Sequence, residues 1–441
     1  MNKITYIAIC FGDDFLIFHI VAPGDTVFSI ANVYGVSPQR IIADNGLTGL
    51  SNLVVGQCIV ILIPLITHQI SAGDTLNLIA QEYGISLSRL IRNNPSLIFN
   101  QTLIPGDFLT IEFENQTNDE TEIYGYIYPY INQNLLSVWS LYSSKIAIFS
   151  HGFESDGTLI PLNDERSIQI MQNWGAEPYF LLSSITRAGN FENEKTGILF
   201  NDISVQNKLI DSIIQVMQEK GYVGIDLDFE FINPDDRDAY VEFVRNVASK
   251  LNPLGYSVNV DLAPKTSDEQ KGTLYEGHNY AALANAANTV LLMTYEWGYT
   301  YGPPMAVAPI NRVEEVVEYA LANIDNSKIY LGIPNYGYDW LLPYERGVTR
   351  ATTIGNEEAI RIAARYGSEI EFDTVSQTPF FKYTDLSGRI HEVWFEDARS
   401  IKAKFDLIKK YNLRGGGYWN FMRSFSQSWA YTNSTYIITK I

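Results

Sequence analysis

Asp226, Asp228 and Glu230 occupy alternate positions of the run Gly221–Ile232, GYVGIDLDFEFI, with Ile225, Leu227 and Phe229 between and around them. A period of two belongs to a β-strand, so the three carboxylates share one side and the apolar residues the other. No Lys or Arg is interleaved to neutralise them. Like charges on one face of a buried strand raise one another's pKa. A carboxyl kept protonated in this way is suited to general-acid work, and an ionised neighbour to stabilising positive charge. The alternative is a solvent-facing strand or a buried ion cluster, and the missing counter-ions weigh against it.

Such a strand needs neighbours. From Ile123 onward, strand-like runs alternate with helix-like ones, which predicts βα units around a parallel sheet. Strands are expected near Tyr124–Tyr128, Ile146–Ser150, Tyr179–Ser183, Val223–Glu230, Ser257–Leu262, Val290–Tyr295, Ile329–Pro334 and Gly415–Asn420. Eight strands in about 300 residues fit a (β/α)8 barrel of the α/β class, in which chemistry belongs at the carboxyl ends of the strands. The stretch 341–395 is too long for a plain helical connection. It contains a hairpin-like pair, Pro379–Tyr383 and Ile390–Trp394, joined through Leu386-Ser387-Gly388, and is expected to be a small α+β insertion. The triple glycine Gly415–Gly417 opens a strand instead of preceding a helix, so it is not a phosphate loop. His391-Glu392 lacks the second His of a zinc motif.

The spacing Asp226-x-Asp228-x-Glu230 resembles the signature of glycoside hydrolase family 18, the chitinase-like (β/α)8 barrels, where it sits on strand four. The family pattern has a further Asp three residues ahead of the first acid. Val223 stands there, at the supporting end of the strand. The resemblance implies that Glu230 is the general acid, that Asp228 orients and charge-stabilises the substrate's acetamide, and that Asp226 shares a proton with Asp228. Strand six ends Met293-Thr294-Tyr295-Glu296-Trp297-Gly298, similar to the family's M-x-Y-D with Glu296 in place of Asp. Tyr295 is then expected to hydrogen-bond the acetamide carbonyl, with Met293 and Glu296 beside the sugar. Trp419, ending the last strand, would form an apolar floor, since the C–H faces of sugars stack on indole. Tyr126 and Tyr336 are further candidates for substrate contact, with core packing as the alternative. The implied reaction is retaining and substrate-assisted.

Before the barrel the chain repeats itself. The run from His19 to Asn45 matches His68 to Asn94 at an offset of 49 residues, with Gly24-Asp25-Thr26 against Gly73-Asp74-Thr75 and Tyr34-Gly35 against Tyr83-Gly84. Copied modules explain this better than chance. Each reads as a βααβ unit, with Asp25 and Asp74 and the following threonines placed as helix caps. The units resemble LysM domains, which implies binding of N-acetylglucosamine-containing glycans, peptidoglycan or chitin-like, with Gly24, Asp25, Thr26, Gly73, Asp74 and Thr75 at the groove. The expected domains are an extension at 1–18, modules at 19–64 and 65–113, a polar linker at 114–122, and the barrel at 123–441. Two LysM units ahead of this barrel resemble the spore cortex-lytic N-acetylglucosaminidases. The alternatives are a chitinase or other N-acetylglucosaminidase, and a non-catalytic wall-binding lectin; the presence of Glu230 argues against the lectin.

Across its 441 residues the chain has a net charge of −19 and a hydrophobic content of 46%. The charge argues against nucleic acid or an anionic membrane surface as partner, and the apolar content rules out a mainly disordered chain. Two cysteines, Cys10 and Cys58, make no disulfide framework, and five scattered histidines show no metal spacing. No metal or cofactor, no membrane span and a monomeric protein are expected. The apolar run Ile4–Cys10 is cut short by Asp13 and Asp14 without a small-residue cleavage site, so a cleaved signal peptide is not expected. The location implied is the spore or cell wall.

Overall fold

The computed structural model describes residues 17–50, 52–114, 116–117, 119–185 and 193–440. The expectations for Ile4–Cys10, and for the extension as far as residue 16, lie outside the described residues.

Strand β1 (Ile17–Ile20) pairs antiparallel with β2 (Cys58–Ile61), and β3 (Pro64–Gln69) with β4 (Phe108–Phe113). Two short helices lie between the strands of each pair, Val27–Tyr34 and Pro38–Asp44 in the first unit, Leu76–Glu82 and Leu87–Asn93 in the second. Residues 17 and 18 therefore belong to the first module's opening strand. The helix caps are Thr26 and Thr75, whose hydroxyls accept from the amides of Ser29 and Leu78 at 3.0 and 3.2 Å. The neighbouring aspartates fold back instead. Asp25 accepts from the Ala22 amide at 2.7 Å and meets His19 Nε2 at 3.0 Å, and Asp74 repeats this with Ser71 and His68. An Asx-type return of this kind closes the loop before the helix begins. The glycine just ahead supplies the required positive φ, 91° at Gly24 and 98° at Gly73.

The barrel strands are β5 (Glu120–Ile127), β6 (Lys145–Phe153), β8 (Glu177–Ser183), β9 (Gly224–Asp228), β10 (Ser257–Leu262), β11 (Thr289–Leu292), β12 (Ile329–Pro334) and β18 (Gly415–Trp419), with the short β7 (Leu159–Ile160) antiparallel to β6. All eight neighbour pairs are parallel, and β5 pairs with both β18 and β6, so the sheet closes. The glycines of β18 mark where the wall is tightest. A Cβ on Gly415 would sit 2.0 Å from the Glu122 carbonyl, and one on Gly417 would sit 2.1 Å from Leu291. Apolar side chains between strands and helices form the main core. Inside the barrel, Tyr124, Tyr126, Tyr179 and Tyr330 pack with Leu181 and Leu291.

The insertion is a five-stranded antiparallel sheet, ordered β14 (Thr352–Ile354), β13 (Gly337–Leu341), β17 (Ile390–Trp394), β16 (Thr378–Thr384), β15 (Glu371–Asp373), with one helix at Asn356–Tyr366. It begins at Gly337, earlier than 341, because β13 continues almost directly from β12. The chain ends with helix Ser426–Thr435 and β19 (Ile437–Ile438), which pairs with β5.

The polar run at 114–122 does not hang free. Its second part is already barrel strand, and Gln116 and Thr117 hydrogen-bond to the Asn433 and Thr435 carbonyls. Both modules are seated on the barrel and its terminal helix. Gln427 Nε2 donates to Asn45 Oδ1 at 3.1 Å and to the Cys58 carbonyl at 2.7 Å, while Asn433 donates to Asn93 at 2.8 Å and accepts from Arg92 at 2.9 Å. These groups are buried, and a buried polar group left unpaired costs about 1–3 kcal/mol, so the seating is specific. The first module also touches the insertion, where the Ile370 amide donates to the Val55 carbonyl at 2.9 Å. Cys58, a free thiol, is buried where the first module meets the terminal helix.

Candidate active site

Strand β9 ends at Asp228, and Glu230 lies two residues beyond it, in the loop that turns through Phe231 at a φ of 54°. Asp226 is fully buried. It accepts from the Tyr124 hydroxyl at 2.5 Å and from Asn259 Nδ2 at 2.9 Å. Asn259 and Asp226 stand opposite one another across β9 and β10. The same Asn259 amide also reaches Asp261 at 3.2 Å, and Tyr126 donates to Asp261 at 2.7 Å. A fourth carboxylate thus joins the three of strand four. Asp261 was not among the residues expected, although Asn259-x-Asp261 alternates with Val258, Val260 and Leu262 in the same strand-like rhythm.

Asp228, Glu230 and Asp261 open into a cleft of about 630 Å³ at the carboxyl ends of the strands, which Tyr295, Glu296, Met293 and Trp419 also line. Burial pushes the Asp228 carboxyl well above the usual range, and the charges of Glu230 and Asp226 add to the effect. Asp261 is driven the same way by burial and then by Asp226 and Asp228. Burial also raises Asp226, but hydrogen bonds from Tyr124 and Asn259 hold it back. Glu230 is raised first by burial and second by the charge of Glu296. Groups this close titrate as a set, and the proton they hold belongs to the cluster. Oδ1 of Asp228 is buried with no hydrogen-bond partner among the described residues.

Trp419 is braced edge-on by Phe149 at 5.3 Å and tilted against Tyr126 at 5.5 Å, which fixes its ring as one wall of the cleft. Glu296 has a φ of 69°, a left-handed conformation that a glutamate adopts only when its surroundings impose it. Here the next two residues are tied down, Trp297 to the Val307 carbonyl at 3.0 Å and Gly298 to that of Ala306 at 2.9 Å. The carboxylate takes hydrogen bonds from Tyr336 and from Tyr338, the latter at 2.9 Å. The extra methylene of Glu over Asp is thus used to reach two insertion-side tyrosines.

Two expected substrate contacts are corrected. Tyr126 and Tyr336 are buried and absent from the cleft wall, their hydroxyls committed to the lining carboxylates Asp261 and Glu296. Asp25 and Asp74 are likewise engaged within their own loops, so they shape those loops instead of projecting from them. Phe28 and Leu78, at 71% and 58% exposure, stand out beside them.

The family model for glycosyl hydrolases family 18 matches residues 186–423, and that for the LysM domain matches residues 19–62 and 68–112. The Cortical fragment-lytic enzyme of Bacillus anthracis is 37% identical over 427 residues, covering 95% of this chain and 98% of that protein. The protein of the same description from Bacillus subtilis (strain 168) is 43% identical over 305 residues, 68% of this chain and 70% of that one. The crystal structure of the Bacillus cereus spore cortex-lytic enzyme SleL superposes with a TM-score of 0.82 at 35% identity, covering 96% of this chain and 99% of that one.

Proposed function

The chain belongs to glycosyl hydrolase family 18 and carries two LysM domains, and from that premise we propose that it cleaves N-acetylglucosaminyl bonds in fragments of spore cortex peptidoglycan. It is a glycosidase. The observation that carries the reading is the pairing of Asp228 and Glu230, both with raised pKa, on a cleft walled by Trp419 and Tyr295. The choice of glycan rests on relatives that match over nearly their whole length. LysM domains add affinity for glycans containing N-acetylglucosamine. Among the described residues no helix is long and apolar enough to cross a membrane, and we place the protein at the spore or cell wall.

In this mechanism the acetamido oxygen of the bound sugar attacks its own anomeric carbon while Glu230 gives its proton to the glycosidic oxygen. The C–O bond breaks and an oxazolinium ion forms, positively charged and facing Asp228. Tyr295 orients the acetamide, and Asp226 exchanges a proton with Asp228 as charge builds. Water, deprotonated by Glu230, then attacks the anomeric carbon, giving net retention and restoring the acid. Trp419 supplies the floor, with Met293 and Glu296 at the edge of the same sugar. The LysM loops at Gly24-Asp25-Thr26 and Gly73-Asp74-Thr75 flank the glycan grooves.

The test is product analysis. Peptidoglycan fragments and chitin oligomers are incubated with the protein, reduced with borohydride and examined by mass spectrometry. New reducing N-acetylglucosamine from peptidoglycan is the expected result; cleavage of chitin alone would overturn the cortex assignment, and binding without cleavage would leave a lectin.

A pH profile tests the electrostatics. The acid form of Glu230 is lost as pH rises through its elevated pKa, which sets the alkaline limb of kcat/KM. Glu296→Gln removes one of the charges that raise it. The alkaline limb therefore moves to lower pH in this variant. An unmoved limb would show that the two carboxylates are not coupled.

A further inference from the structure

Arg92, in the last turn of the second module's helix Leu87–Asn93, is a buried cation without a counter-ion. It is 4% exposed and makes no ion pair among the described residues. Its contacts are neutral: Nε donates to Asn433 Oδ1 at 2.9 Å and Nη1 to the Leu141 carbonyl at 3.4 Å. Nη2 has no hydrogen-bond partner among the described residues. Burial pulls the Arg92 pKa down to about 10, which leaves it charged at neutral pH. Buried charges are ordinarily paired, because nothing else repays their lost hydration.

Beside Arg92 lies a cavity of about 180 Å³, remote from the cleft, where the helices Pro38–Asp44, Leu87–Asn93, Gln133–Tyr142 and Ser426–Thr435 meet. Trp429 lines it, and the indole Nε1 is buried with no partner among the described residues. The acceptors nearby are already taken. Asp44 is held by Arg40 at 2.5 Å, and Asn433 spends its oxygen on Arg92 and its amide on Asn93. The Tyr142 hydroxyl donates to the Arg92 carbonyl at 2.9 Å. Much of the remaining wall is apolar, with Pro95, Ile98, Phe99 and Val138. Arg40 and Arg92 against Asp44 leave one positive charge unbalanced there.

We propose that this cavity is a binding site for a small monocarboxylate with a short apolar body, whose carboxylate Arg92 receives. One negative charge balances the site, and guanidinium–carboxylate bonds are among the stronger hydrogen bonds. The volume equals that of about six waters at ~30 Å³ each, room for an N-acylated amino acid and too little for a disaccharide. The site uses no residue of the cleft and does not depend on which glycan is cut.

Equilibrium dialysis of the full chain against labelled N-acetyl-L-alanine tests this, with the methylamide of the same amino acid as neutral control. Saturable uptake in the millimolar range is expected, with the methylamide bound about tenfold more weakly, the size of one charge-assisted hydrogen bond. Arg92→Gln removes the preference for the acid; melting curves check that it is folded. Ala43 is an exposed residue of the cavity rim, so Ala43→Glu should fold even where Arg92→Gln does not, and its new carboxylate neutralises the site and excludes the acid. N-acetylmuramyl-L-alanine carries the same acid on a sugar: if it binds as well, the ligand comes attached to a glycan, and if it does not, the ligand is a free acid. Wild-type protein without saturable uptake overturns the proposal. So does either variant, once shown to be folded, with wild-type binding. Equal binding of acid and methylamide, or displacement by equimolar inorganic phosphate, overturns it as well.

Discussion

Replacing Glu230 with Gln lowers kcat on peptidoglycan fragments by about 10³-fold, within the range expected when a positioned general acid is removed. The amide keeps the shape of the side chain and lacks only the transferable proton. Glu230 lies past the end of β9 and lines the cleft, and Gln matches it in size, so the variant should fold and still bind glycan. The defect is in protonating the leaving oxygen, and it should shrink with aryl glycosides whose phenolate leaves without help. Steady-state rates on natural and aryl substrates, measured side by side, test this. An equal loss on both would mean that Glu230 does something other than donate a proton.

Asp228→Asn should reduce kcat by about 10²–10³-fold, the usual loss when one preorganised stabiliser of transition-state charge is removed. The same change should raise the melting temperature at neutral pH. Burial and the carboxylates of Glu230 and Asp226 raise the folded-state pKa of Asp228. A group with that sign contributes stability that is present below its unfolded pKa and is lost as pH rises through the folded one. Near neutrality the wild type therefore carries a penalty that the asparagine variant does not. The difference in melting temperature should narrow as pH falls below the ordinary carboxylate range. A variant less stable than wild type at every pH would show that Asp228 is held ionised by partners in the fold.

The rhythm of residues 221–232 made the acid cluster legible, because successive side chains of a strand point to opposite faces and here one face is acidic. The count of eight strands was readable from strand-like runs alternating with helix-like ones, and the insertion's hairpin from two such runs joined by a turn. Local pattern was insufficient where a residue's duty depends on a distant strand. Asp261 is two residues from Asn259 in sequence, but its relation to Asp226 exists only because β9 and β10 lie side by side. Tyr126 and Tyr336 stand near the expected strand ends, and only the closed structure reveals that each hydroxyl is committed to a carboxylate of the cleft wall. The stretch 114–122 has the composition of a loose connector. Polarity alone says nothing of the backbone partners that hold Gln116 and Thr117 against the terminal helix.

That seating bears on where the chain cuts. Two domains on a slack tether sample many separations, and the second contact benefits from an effective concentration that falls off smoothly with distance. Here Gln427 and Asn433 clamp the modules to the barrel, so the distance from each module to the cleft is set by the fold. A glycan held by both modules would reach Trp419 and Glu230 at one spacing, set by a jig and not by a leash.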